Sequence, residues 1–117
     1  MSSQPIPIPQ LAPATALVQL LSEFPELPRA RAWHVEDNEL VGYLHANTVE
    51  EYAALDAYEA VLGGAVSRMD FESLDGPHRS VMLVSSWRDV RVCVRLLVPA
   101  AVDDKAQAAA AGEQVVA

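Results

Sequence analysis

Between Trp33 and Gly64 the apolar pattern changes period once, from two to about 3.6, and two glycines close it. Trp33 to His45 alternates around Asp37-Asn38, a two-residue turn whose members both tolerate positive φ. That turn pairs Glu36 with Glu39, His34 with Val41 and Trp33 with Gly42. It places Trp33, Val35, Leu40, Gly42 and Leu44 on one face, with His34, Glu36, Glu39, Tyr43 and His45 on the other. Glycine opposite the indole leaves room for it. Thr48 then opens a helix, with Glu51 completing a capping box. Ala54, Leu55, Tyr58, Val61 and Leu62 form its buried stripe, and Tyr52, Asp56 and Glu59 are expected on the opposite, acidic face. Gly63-Gly64 ends it with a left-handed cap. A hairpin feeding an amphipathic helix excludes an all-helical or all-strand domain.

The flanks extend this unit. Ser2 to Gln10 alternates Pro with Ile, which favours an extended arm with few backbone donors. Pro13 begins a short helix with Leu17, Leu20, Leu21 and Phe24 on one stripe, stopped by Pro25. After the glycines come three strands. In Ser67 to Leu74 the expected core face is Ser67, Met69 and Phe71, and Asp75-Gly76-Pro77 is a turn. Arg79 to Trp87 and Arg91 to Val98 follow, joined near Arg88-Asp89. In the last strand Val92, Val94, Leu96 and Val98 face one way, and Arg91, Cys93 and Arg95 the other. The order α-ββ-α-βββ predicts an α+β domain, a single antiparallel sheet with the main helix packed on one face. The expected division is a disordered arm over 1–12, one domain over 13–100 and an Ala-rich flexible tail over 101–117.

Charge is segregated along the chain. Ten of the sixteen acids lie between Trp33 and Asp75, where Arg68 is the one base. Between Gly76 and Val102 the balance reverses: Arg79, Arg88, Arg91 and Arg95 stand against Asp89. Two faces of opposite sign favour association with a protein partner or with a second copy of the chain. A net charge of −8 argues against direct nucleic-acid binding and against an anionic membrane surface. The single cysteine, Cys93, excludes an intramolecular disulfide. No apolar run has transmembrane length and no signal peptide is visible, so a cytoplasmic setting is expected. Seven arginines against one lysine look like coding from a GC-rich genome such as an actinobacterium or its phage.

No motif specifies a reaction. His34 and His45 lie too far apart along the hairpin to share a metal, so neither a metal nor a cofactor is expected. Cys93 alternates with apolar residues and is expected to pack as a small hydrophobe, though Arg91 and Arg95 would activate it if all three shared an exposed face. The carboxylate pairs Glu36/Glu39 and Asp56/Glu59 sit on polar faces, where acid–base catalysis lacks its apolar pocket. The four arginines of the basic segment form a candidate stripe, with Asp70 and Glu72 as the alternative, neutralising partners.

The string WHVEDNELVGYLHANTVEEYAALDAYEAVLGG, residues 33–64, resembles a pattern in small uncharacterised proteins of Streptomyces and related actinobacteria or their mobile elements. The resemblance implies an origin and a fold class and carries no activity. The reading is then a non-catalytic interaction or regulatory module, with Tyr52, Asp56, Glu59, Arg91 and Arg95 as contact residues. Two alternatives stand beside it. One is a small anionic-ligand binder or minor enzyme using the arginines and Cys93; the other is an acidic mimic of DNA.

Overall fold

The computed structural model describes residues 11–46 and 49–115. The expected arm over residues 1–10 and the Thr48 cap lie outside them. Three helices and five strands follow in the order α1 (Leu11–Glu23), β1 (Ala32–Glu36), β2 (Glu39–His45), α2 (Val49–Leu62), β3 (Ala65–Ser73), β4 (Gly76–Trp87), β5 (Val90–Pro99) and α3 (Ala100–Val115). The class is α+β with one sheet, ordered β1-β2-β5-β4-β3.

The hairpin forms in the expected register, Glu36 opposite Glu39 and Trp33 opposite Gly42, with Asn38 at φ 58° in the turn. β3, β4 and β5 make an antiparallel meander, and Arg88 and Asp89 both take positive φ at its second turn. The two ribbons meet at β2 and β5, which run parallel. The sheet is therefore mixed, where a purely antiparallel one is expected from the sequence. Chain direction explains it. A helix that carries the chain back over the sheet starts β3 along β2, and two hairpin turns later β5 points the same way. β5 takes the centre because its helix-side face is wholly apolar (Val92, Val94, Leu96, Val98), whereas β3, with Arg68, Asp70 and Glu72, stays at an edge.

All three helices pack on one side. The core joins Ala16 and Leu20 of α1 and Leu55, Tyr58 and Leu62 of α2 to Leu40, Leu44, Val81, Leu83, Val92, Val94, Leu96 and Val98 of the sheet. In α1 the buried positions are Pro13, Ala16 and Leu20; Leu21, expected on that stripe, is exposed. Tyr58 is wholly buried and its hydroxyl donates to the Pro28 carbonyl, fixing the α1–β1 connector. At the end of α2, Gly63 adopts φ 67° and its N–H bonds Glu59 O at 2.8 Å. A Cβ on Gly64 would lie 2.2 Å from the Val84 carbonyl oxygen, so only glycine lets the chain pass this close to β4.

Two expectations are corrected. Met69 and Phe71, assigned to the core face of β3, lie on the side of the sheet away from the helices and are exposed. Pairing decides this: Arg68 sits opposite Val81, which sits opposite Leu96, so Arg68 and not Met69 shares the helix side. The Ala-rich segment from residue 101, for which a flexible tail or a frayed helix is expected, is helical through residue 115, with Asp103 fully buried in its first turn.

Candidate functional site

Among the described residues, no helix or strand lies over the sheet face opposite the helices. Alternation puts Tyr43 of β2, Met69 and Phe71 of β3, Met82 and Val84 of β4, and Arg91, Cys93, Arg95 and Leu97 of β5 on this face. Val41 and Cys93 are buried there, while Met69 is 65% exposed. Arg95 occupies the centre, on the middle strand, between Tyr43 and Met82. Its Nη2 lies 3.9 Å from Met82 Sδ, a weak acceptor. Its Nε is buried without a hydrogen-bond partner among the described residues. A guanidinium held this way retains unspent donor capacity at the middle of an apolar surface. Arg91 lies four residues before Arg95 on the same face, with Cys93 between them, and reaches Glu39 across the parallel seam at 3.6 Å. Burial pushes the Cys93 thiol up, and Arg95 only partly offsets it. This thiol is therefore protonated at neutral pH, not the activated nucleophile that flanking arginines would make of an exposed one.

The other predicted contact residues are elsewhere. Asp56 and Glu59 are exposed on the outer surface of α2, on the far side of the molecule from Arg91 and Arg95. Tyr52, expected beside them, is buried instead. It lies three residues before Leu55 and points into the α2–α3–sheet junction, where Arg68 Nη2 donates to its hydroxyl at 3.0 Å. The four arginines of the candidate stripe are not gathered on one face. Arg79 lies on the helix side with Asp70, Asp103 and Asp104; Arg88 pairs with Glu23 and stacks 4.3 Å over the Trp87 ring. Neutralisation by Asp70 on the neighbouring strand is what the structure has for Arg79.

A second polar constellation went unread in the sequence. Asp103 is fully buried, and its Oδ2 accepts from Arg79 Nη1 at 2.7 Å, Gln107 Nε2 at 2.9 Å and Arg68 Nε at 3.1 Å. Burial alone would raise the Asp103 pKa. Hydrogen bonds from Arg79, Tyr52 and Arg68 outweigh it and hold the carboxyl below its ordinary value. Burial and then the Asp103 carboxylate raise the Tyr52 phenol. Beside this network Tyr52, Asp56, Arg68 and Gln107 line an open cleft of about 300 Å³. Its only guanidinium, that of Arg68, is already engaged by Asp103 and Tyr52. The network is built to hold α3 down, and the one available sequence signal was an acid in the first turn of a helix.

Among the described residues no group of three or more His, Cys, Asp or Glu could hold a metal ion. His34 instead packs against Tyr43, ring centroids 4.9 Å apart. The acids of the −8 chain are spread over β1, β2, α2 and β3, on both sides of the sheet. No described helix is long and apolar enough to cross a membrane. The chain matches no protein-family model and no curated protein.

Proposed function

We propose that this chain is a non-catalytic interaction module that docks an acidic, partly apolar surface of a partner protein on its uncovered sheet face. One observation carries the reading: the centre of that face is an arginine with a buried, unpartnered Nε, set among Tyr43, Met82 and Leu97. Arg, Tyr and Met are the residues most enriched at protein interfaces, and a central Arg in an apolar surround is the usual composition of a hot spot. A partner carboxylate would complete the guanidinium while its apolar neighbours cover Met69 and Phe71. The exposed Asp56 and Glu59 on the opposite side serve solubility in this reading. The buried thiol of Cys93 fits the reducing cytoplasm.

The small-anion reading has less support, because the four arginines of the basic segment point to different places and three of them are paired. The DNA-mimic reading needs a continuous row of carboxylates, and Asp70 and Glu39 are each neutralised by an arginine.

The test is an affinity capture from native lysate with three baits: wild type, R95E, and the pair D56R/E59R. Wild type and the α2 pair should retain one stoichiometric partner that R95E loses, with circular dichroism unchanged in all three. Loss on the α2 pair with retention on R95E would move the site to the helix and overturn the reading.

A further inference from the structure

β3 is the exposed border of the sheet. Seven of its nine residues are exposed, its contacts to the helices run through Arg68 to Tyr52 and Asp103, and among the described residues its outer edge pairs with no strand. Its charges, Arg68, Asp70 and Glu72, are the one edge device it has, and the first two are already engaged within the chain. Nine consecutive pairs with β4 run from Ala65 to Ser73 without a bulge, and the strand has no proline, no lysine and no positive φ. Without a bulge or proline, a row of free N–H and C=O groups is a template for another strand, and the charges of β3 then decide which strand fits.

The side chains select which strand. A twofold axis perpendicular to the sheet keeps the two faces matched, so only residues of the same parity can sit opposite each other. With the axis at Met69, Arg68 meets Asp70 of the second copy, twice by symmetry, Met69 meets its own counterpart, and Ser67 meets Phe71. Moving the register by two residues one way sets Arg68 against Arg68; the other way sets Asp70 against Asp70. Directly opposed like charges destabilise a strand pair and opposite ones stabilise it. The groups have capacity left for these bonds. Arg68 uses Nε for Asp103 and Nη2 for Tyr52, and Asp70 uses Oδ1 for Arg79, so Arg68 Nη1 and Asp70 Oδ2 remain.

We propose that two copies of this chain associate through β3, antiparallel and centred on Met69, into one continuous ten-stranded sheet. The occupant is a second copy because the charge order of β3 is self-complementary about one residue. The proposal does not rest on the function proposed above: each copy keeps its own Arg95, and the two surfaces share only Met69 and Phe71 at the edge. It also makes the two uncovered faces a single surface.

Sedimentation velocity from about 1 to about 500 μM tests it, the upper range being what a one-strand interface of small area demands. Wild type should pass from the mass of one chain to that of two. M69R changes a side chain that is 65% exposed, so the fold should persist while like charges meet at the axis. It should weaken dimerisation roughly tenfold or more. Register is read by cysteine linkage: M69C should form a disulfide dimer on mild oxidation. S67C should not, since its counterpart lies about 14 Å away at strand rise. A wild-type chain that stays monomeric at the highest concentration overturns the proposal. So does a dimer insensitive to M69R, linkage at S67C instead of M69C, or growth beyond two copies. Loss of partner capture by R95E in a chain that still dimerises would separate the two proposals experimentally.

Discussion

At the scale of single residues, position 42 shows how little space separates order from strain. A Cβ there would lie 2.7 Å from the Trp33 ring, whose edge in turn packs on Tyr58 with ring centroids 6.0 Å apart. G42A is expected to push the indole off Tyr58 and destabilise the fold by about 1–3 kcal/mol, the range for overpacking a filled site. Urea unfolding followed by tryptophan fluorescence measures this, and a midpoint equal to wild type would show that the ring moves freely. This contact was legible, because a two-residue turn at Asp37-Asn38 leaves one register and that register names the pair. Tyr52 was legible too. It precedes Leu55, Tyr58 and Leu62 at intervals of three, three and four, a helical stripe, yet neighbouring acids suggest a wet face. Arg95 could be placed on a face from alternation. That no described helix or strand lies over the face could not, because coverage depends on which side every helix chooses.

Among the elements, α3 is held by polar contacts as well as by apolar ones. Among its described side chains Val102 and Ala106 pack against the core, and the buried carboxylate between Arg68, Arg79 and Gln107 is the polar attachment beside them. D103N should cost about 2 kcal/mol at neutral pH, less than a fully buried pair because the Arg68 side chain is 35% exposed. The folded-state pKa of Asp103 is depressed below its ordinary 3.8. Its contribution is therefore complete above that value and is lost as pH falls through the folded pKa. Thermal melts of wild type and D103N should differ most at neutral pH and converge as the pH drops below about 4. A constant gap across that range would mean that charge is not what attaches the helix. An Ala-rich run with no stripe gives no sign of this in sequence, since the partners lie on strands 24 and 35 residues away. The face of β3 was unreadable for a related reason: both of its faces are plausible until Ser73 is seen opposite Gly76 and the register propagates back to Arg68.

For the molecule as a whole, the class, the hairpin and the meander followed from periodicity and turns. The direction of the central seam was implied by the same element order, because a crossover helix between two ribbons makes β5 run with β2. Strand propensities carry no such direction; only the path of the chain over α2 does. That seam has a temporal consequence. The hairpin and the meander each close through tight turns, between near neighbours in the chain, whereas β2 meets β5 with Leu40 opposite Val92. Local pairs are entropically cheap to close and distant ones are dear, so the ribbons can form first and their joining limits the rate. Leu44, buried at the seam opposite Leu96, reports on that step, and Val81, opposite Leu96 within the meander, reports on the earlier one. L44A should lose about 3 kcal/mol mostly as faster unfolding, whereas V81A should also slow refolding. Stopped-flow chevrons distinguish the two, and equal partition at both sites would mean that the ribbons never exist apart. If they do, a nascent chain completes its hairpin long before β5 is made, and for that interval β2 waits with one bare edge for a strand that has not yet been synthesised.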